Sequence, residues 1–425
     1  MLPLTQPKKT TNWPLNFTYF SNLSSMVKAF IESRSKKIHN WINPKVVITP
    51  NICLVTDMDI IAKHRHIYTP EHNEFRERLR NFFNEELEPY QSLYKLDKYG
   101  TFSRSMFEKA GAEGLLGVSL PKQHGGTGDF RLAAVLWQEQ MYAGCIGPEF
   151  PVHSDIVMPY ITKYGSEAQI KRYIPDMLAG KCIGAIALKE PEIGNVMKDI
   201  ATQAIRTEDG WMLTGIKTKI PNGLICDLVI VAAVTKPNAN SVEDMISLFL
   251  VENGNQGFIK SKKLEKPGLE AENIAESLFF DYVFLPEDAL LGEVNKGYSY
   301  IMEQLPIEDL LHAEKTMASC EFTFDHAQRR IMKKRASEMV HTVEQINKKL
   351  AHLRDHISAT RMFIDGCIYS HIIKTLDADT ASRARDMAKR VQDYVYRECI
   401  KYWGTLSWPL GGGMNFPSRS EQLSH

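Results

Sequence analysis

Two stretches of this sequence carry groups that could do chemistry. "LPIEDLL", Leu305 to Leu311, sets the carboxylates of Glu308 and Asp309 among Ile307, Leu310 and Leu311. A carboxylate in apolar surroundings has its pKa raised toward neutrality and can then act as a general base. The spacing also allows a plainer role, in which Pro306 opens a helical turn and the two acids complement its dipole. The second stretch, "ALKEPEIGNVMKDIATQAI", runs from Ala187 to Ile205 and looks like a phosphate-cradling turn between two ordered segments. Such turns use glycines so that the backbone can approach an anion closely. Gly194 is the one glycine here, and Glu192 adds negative charge and bulk.

Other patterns carry less. The seven cysteines are scattered without CxxC spacing, so neither a zinc site nor a disulfide framework is expected and a reducing compartment fits. No metal ligand set is assigned. His153 in "FPVHSDIV" reads as structural, and "QHGGTG" follows no strand, so it reads as a tight turn rather than a dinucleotide fingerprint. The basic run Arg329 to Arg335 reads as a solvated helix face. Lys plus Arg and Asp plus Glu both total 51, which suggests no polyanion-binding role. Nothing approaches the run of about eighteen apolar residues that a membrane-spanning helix needs.

The elements that must position these groups follow from periodicity. Residues 1–55 are basic and poor in acid, and "NLSSMVKAFIESRSKK" would be amphipathic as a helix, which predicts a transit peptide or a disordered basic segment. Residues 65–185 read as an all-helical domain; Phe75, Leu79, Phe82 and Phe83 line one face of its first helix. Residues 186–292 hold short β-branched and aromatic runs such as "DLVIVAAVT" and "MISLFLVEN", predicting a central antiparallel β-barrel or sandwich. Residues 293–405 return to long amphipathic helices, a C-terminal bundle, and 406–425 form an irregular tail. The fold class is therefore α+β.

This order resembles the acyl-CoA dehydrogenase family, most closely its mitochondrial long-chain branch. The words that carry the likeness are "EGLLGVSLPKQHGGTG", "KYGSEAQIKRYIPDMLAGKCIGAIAL", "VENGNQGFIKSKKL" and "LPEDALLGEVNKGYSYIMEQLP", and it runs from about Thr69 to about Trp403. The resemblance implies FAD-dependent α,β-dehydrogenation of long-chain fatty acyl-CoA in mitochondrial β-oxidation. It implies FAD between the β domain and the bundle, and a homo-oligomer, tetramer or dimer, sharing the flavin site. It further implies electron-transfer flavoprotein as acceptor and the mitochondrial matrix as location. "LPIEDLL" matches the family branch whose base sits in the first bundle helix, which makes Glu308 the proton acceptor. Asp309 stands where that branch has arginine, and Ser299, beside Tyr300, where it has a substrate-contacting tyrosine.

The resemblance also assigns cofactor contacts. Lys189, Glu190, Gly194 and Asn195 occupy the flavin and phosphate loop, with Asn195 also near substrate; Ile220 and Asn222 occupy the ring-facing turn "TKIPNG". Lys219 and Pro221 replace an aromatic ring and a hydroxyl there, and Pro221 has no N–H to donate. Lys334, Arg335 and Gly404 fall on partner-subunit contacts, while the family's last adenine-side segment has no counterpart before His425. The alternative from a different class is a fold-retaining relative without catalysis, serving as a binding or assembly subunit, or a truncated isoform.

Overall fold

The computed structural model describes residues 65–87, 104–143, 145, 148–191, 199–261, 274–335 and 343–403. The basic segment 1–55 and the tail 406–425 lie outside the described residues.

The first domain is helical: α1 (Pro70–Leu87), α2 (Ser105–Ala112), α3 (Phe130–Tyr142), α4 (Met158–Tyr164) and α5 (Glu167–Leu178). Local sequence accounts for the boundaries. Pro70 takes a first-turn position where its missing N–H costs nothing, and Asp129 caps α3 by accepting from Arg131 N. Ser166 and Gln169 form a reciprocal capping box at α5. Phe75, Leu79, Phe82 and Phe83 are all buried on one face of α1. A π-helical turn, Val152–Val157, leads into α4. His153 within it is buried; it accepts from Gly184 N (2.9 Å) through Nδ1 and donates to Met177 O (3.0 Å) through Nε2. Burial lowers its pKa to about 4, so it stays neutral and holds helix to strand.

Among the described residues the sheet has eight strands: β1 (Gly184–Ala187), β2 (Gln203–Arg206), β3 (Gly210–Ile220), β4 (Leu228–Val234), β5 (Ile246–Glu252), β6 (Phe258–Lys260), β7 (Ala275–Pro286) and β8 (Leu290–Leu291). The order is β6-β7-β3-β2-β4-β5-β8, with β1 beside β4. Most pairs are antiparallel, but β1–β4 and β2–β4 are parallel. β4 is buried along its whole length because it serves two cores. Leu228, Ile230, Ala232 and Val234 pack with the helices, while Val229, Val231 and Ala233 face Trp211, Leu213, Phe280 and Val283. Gly184 lets β1 close on the π-helical turn; a Cβ there would sit 2.7 Å from Val157 Cγ1.

The last domain is three long helices, α6 (Gly297–Arg335), α7 (Val343–Ile372) and α8 (Ala378–Trp403), with α6 packed along α8 and touching α3 and α7. Pro306 lies inside α6 rather than opening it. The first-turn role for Glu308 and Asp309 is thereby overturned: both sit well inside the helix, where its N-terminal dipole is spent. No helix among the described residues is long and apolar enough to cross a membrane.

Candidate active site

Three elements bring polar groups to one place. α6 presents Glu308 and, one turn later on the same face, His312. α4 presents Tyr160, and the segment after β1 presents Lys189. Glu308 Oε1 and Tyr160 Oη are both sealed from solvent, and neither has a hydrogen-bond partner. The phenol is close enough to lower the carboxyl's pKa as a donor would, although no hydrogen bond of normal geometry has formed. Burial dominates and raises the Glu308 pKa to about 7; the Asp309 charge adds to the rise, and Lys189 and Tyr160 oppose it. Tyr160 in turn is pushed well above its ordinary value by burial and by the Glu308 charge.

His312 is exposed at the surface, and crowding by protein lowers its pKa to about 4, helped by Lys315, Lys189 and Arg385. Lys189 is likewise exposed. Lys315 spans to Glu149, with Nζ 2.9 Å from Oε1 and 2.7 Å from Oε2, tying α6 to the start of the π-helical turn. The whole is a largely buried carboxyl with an unpartnered Oε1, a pKa near neutrality and the Lys189 charge acting on it. That arrangement suits removal of a proton from a carbon acid.

The expected cofactor contacts divide. Lys189 exposes its side chain, while its carbonyl accepts from Thr218 N (2.8 Å). Glu190 is a correction: its carboxylate turns inward to the buried Lys217 Nζ (2.6 Å) and accepts from Ala201 N and Thr202 N, so it is not free for a ligand. Asn222 is a second correction. Its Nδ2 donates to Glu149 O (3.0 Å) and its Oδ1 accepts from Glu149 N (3.2 Å), stitching the ring-facing turn to the helical domain. Ile220 buries its side chain in the sheet core, so only its main chain could face a cofactor. Lys219, with φ 56°, is exposed. Glu192, Gly194, Asn195 and Gly404 lie outside the described residues, as do the side chains of Lys334 and Arg335, whose backbone closes α6.

The expected substrate contacts also divide. Ser299 is exposed and donates to Lys296 O (2.8 Å), finishing the first turn of α6. Tyr300 stacks on Tyr164 of α4, ring centroids 4.0 Å apart. Asp309 is a third correction: it is buried and its carboxylate is held by Arg385 of α8, so it does not face a ligand. Sequence reasoning passed over Tyr160, His312 and Arg385. Only His312 had a signal, its place four residues after Glu308 on a helix.

Asn222 yields a prediction. It is buried with φ 58°, a left-handed conformation that asparagine tolerates better than alanine. Asn222→Ala should lose roughly 2–3 kcal/mol of stability, since the substitution orphans the Glu149 N–H, removes one of two donors to the Glu149 carbonyl (His153 N remains) and strains the turn. Urea denaturation checks this; a loss well under 1 kcal/mol would show that the amide holds nothing.

Comparisons with known proteins converge. The sequence profile of the acyl-CoA dehydrogenase N-terminal domain matches residues 69–181, and that of the middle domain matches residues 185–283. The chain is 46% identical over 358 residues to the long-chain specific acyl-CoA dehydrogenase of mouse mitochondria, covering 84% of this chain and 82% of that one. It is 30% identical over 288 residues to the mitochondrial isovaleryl-CoA dehydrogenase of Pongo abelii, covering 67% and 65%. The crystal structure of an acyl-CoA dehydrogenase from Geobacillus kaustophilus superposes with a TM-score of 0.74 at 31% identity, over 80% of this chain and 89% of that one. A glutaryl-CoA dehydrogenase from Mycobacterium smegmatis in complex with FADH2 shares the fold, with a TM-score of 0.72 at 22% identity.

Proposed function

The chain belongs to the acyl-CoA dehydrogenase family, and from that premise we propose that it performs FAD-dependent α,β-dehydrogenation of long-chain fatty acyl-CoA, with Glu308 as the base. The observation that carries the assignment is the sealed, unpartnered Oε1 of Glu308, whose carboxyl feels the Tyr160 phenol and the Lys189 charge and has its pKa raised to about 7. Long chain length rests on the 46% identity to enzymes named for it. Those relatives are mitochondrial, which supports a mitochondrial location, and we place the activity in the matrix. Electron-transfer flavoprotein as acceptor and a homo-oligomer complete the reading.

The residues fit a flavin on the side that matters for the base. The buried carboxyl oxygen and phenol are without partners, and the Lys219 side chain is exposed. Lys189 and the Ile220 main chain would hold the group, which when bound supplies the two-electron acceptor for the hydride leaving the β-carbon. Pro221 contributes no donor there. The chain's own residues do the rest. Apolar packing by Leu310 and Leu311 keeps the carboxylate poorly solvated and basic. The Lys189 ammonium favours its ionised form, so that a pKa of about 7 is not pushed further out of range. Glu308 then takes the α-proton, and the Tyr160 hydroxyl can swing into a full hydrogen bond with the spent carboxyl.

The sign of the pH dependence follows. A protonated Glu308 cannot accept a proton, so kcat/KM for a long-chain acyl-CoA should rise with pH through about 7 and level off above it. The test is turnover of FAD-loaded protein with an artificial electron acceptor, across thioesters of increasing length and across pH. Rising activity with a long-chain optimum supports the reading. A protein that retains no flavin and turns over nothing supports the fold-retaining relative instead.

A further inference from the structure

We infer that Arg385, from a different helix, is a positioning residue for the base: it neutralises Asp309 and thereby keeps the carboxylate beside it within working range. The inference rests on Glu308 being the base. Asp309 is the next residue along α6 and is buried, a costly neighbour because a second negative charge opposes ionisation of the first. Arg385 Nη1 reaches across from α8 to Asp309 Oδ1 at 2.5 Å. The guanidinium is itself fixed, donating through Nη2 to Ser382 Oγ (3.0 Å) and through Nε to Asp386 Oδ1 (3.1 Å). A planar fork held at three points is the geometry that keeps an arginine where it is needed.

Glu308 is faced by Asp309 on its own helix, by Tyr160 from α4 and by Lys189 from the segment after β1. Asp309 is faced by Arg385 and, more weakly, by Asp386 from α8. Burial raises the Asp309 pKa and Arg385 opposes the rise. Without the guanidinium, two adjacent carboxyls share a poorly solvated site and titrate as a coupled pair. Whichever loses its proton last does so against the other's charge, and the neutral-range midpoint moves up.

The test is an infrared titration of the full-length protein, followed at the carboxyl band that Glu308→Gln removes. Arg385→Gln should raise the midpoint of that band by about one pH unit, and Arg385→Lys should restore most of the difference. Asp309→Asn should lower the midpoint, and Arg385→Gln added to Asp309→Asn should change nothing further, since no charge is left to neutralise. A purely structural ion pair would alter melting temperature and leave the midpoint where it is. If Arg385→Gln does not fold, Asp309→Asn and Arg385→Lys carry the test alone. A band that titrates near neutrality but ignores these substitutions overturns the role of Arg385 and leaves the base intact. The lack of any band that depends on Glu308 overturns the base, and this inference with it.

Discussion

Glu308→Gln should lower the rate of dehydrogenation by about 10²–10⁴-fold while leaving the fold and flavin retention unchanged. Glutamine preserves the shape of the side chain but cannot accept a proton. The change also removes a carboxyl whose Oε1 is buried without a partner, so melting temperature should hold or rise. Glu308→Asp keeps the charge but withdraws it toward α6, and should fall between the two. Steady-state turnover alongside calorimetry checks both halves. Equal activity in wild type and Glu308→Gln would place the base elsewhere, and a large drop in stability would mark the carboxyl as structural.

The largest effect on stability should come from Arg361 of α7. Its Nη1 lies 2.6 and 2.7 Å from the two carboxylate oxygens of Glu314, and its Nε and Nη2 lie 2.8 and 2.6 Å from those of Glu321. All three side chains are almost completely buried. Tyr142 of α3 donates to Glu321, and Arg65, itself paired with Asp365, lies 4.0 Å from Glu314 Oε1. Arg361→Met therefore strands two carboxylates in the interior and should cost roughly 3–5 kcal/mol, enough to unfold a marginal domain. Replacing Glu314 and Glu321 with leucine at the same time should recover much of that loss, because the desolvation penalty leaves with the charges. Burial alone would raise the Glu321 pKa, yet the Arg361 guanidinium holds it below the usual carboxylate range. Its contribution to stability is thus present above the ordinary glutamate range and lost as pH falls through the lowered value. Denaturant titrations at neutral and acid pH check this; near-additive losses in the triple variant would contradict it.

The order of helices, sheet and helices was legible because long segments kept one period, 3.6 or 2, and turned at glycine, asparagine and proline. β4 hid its double duty, since a fully apolar strand does not reveal that alternate residues serve different cores. Proline misled in one place: Pro306 read as a helix start, but α6 begins at Gly297 and carries it internally. Glu308 was legible only through resemblance, because an acid after a proline has a commoner explanation. The charged residues were the least legible. Arg361 and Glu314 lie 47 positions apart, Arg385 and Asp309 lie 76, and Glu190 and Lys217 lie 27. At such separations a sequence shows that a charge exists but not whether its partner is water, ligand or another side chain. The readings of Glu190, Asn222 and Asp309 as ligand contacts erred for that reason; each is satisfied inside the protein.

The claim on which everything else depends is that the Glu308 carboxylate takes the α-proton of a bound thioester. Anaerobic mixing of the FAD-loaded protein with one equivalent of a long-chain acyl-CoA tests it in a single turnover. Loss of the flavin's visible absorption in wild type, faster as pH rises through about 7 and absent in Glu308→Gln, is the expected result. Unchanged absorption in the loaded wild-type protein, or equal bleaching in both proteins, would contradict it.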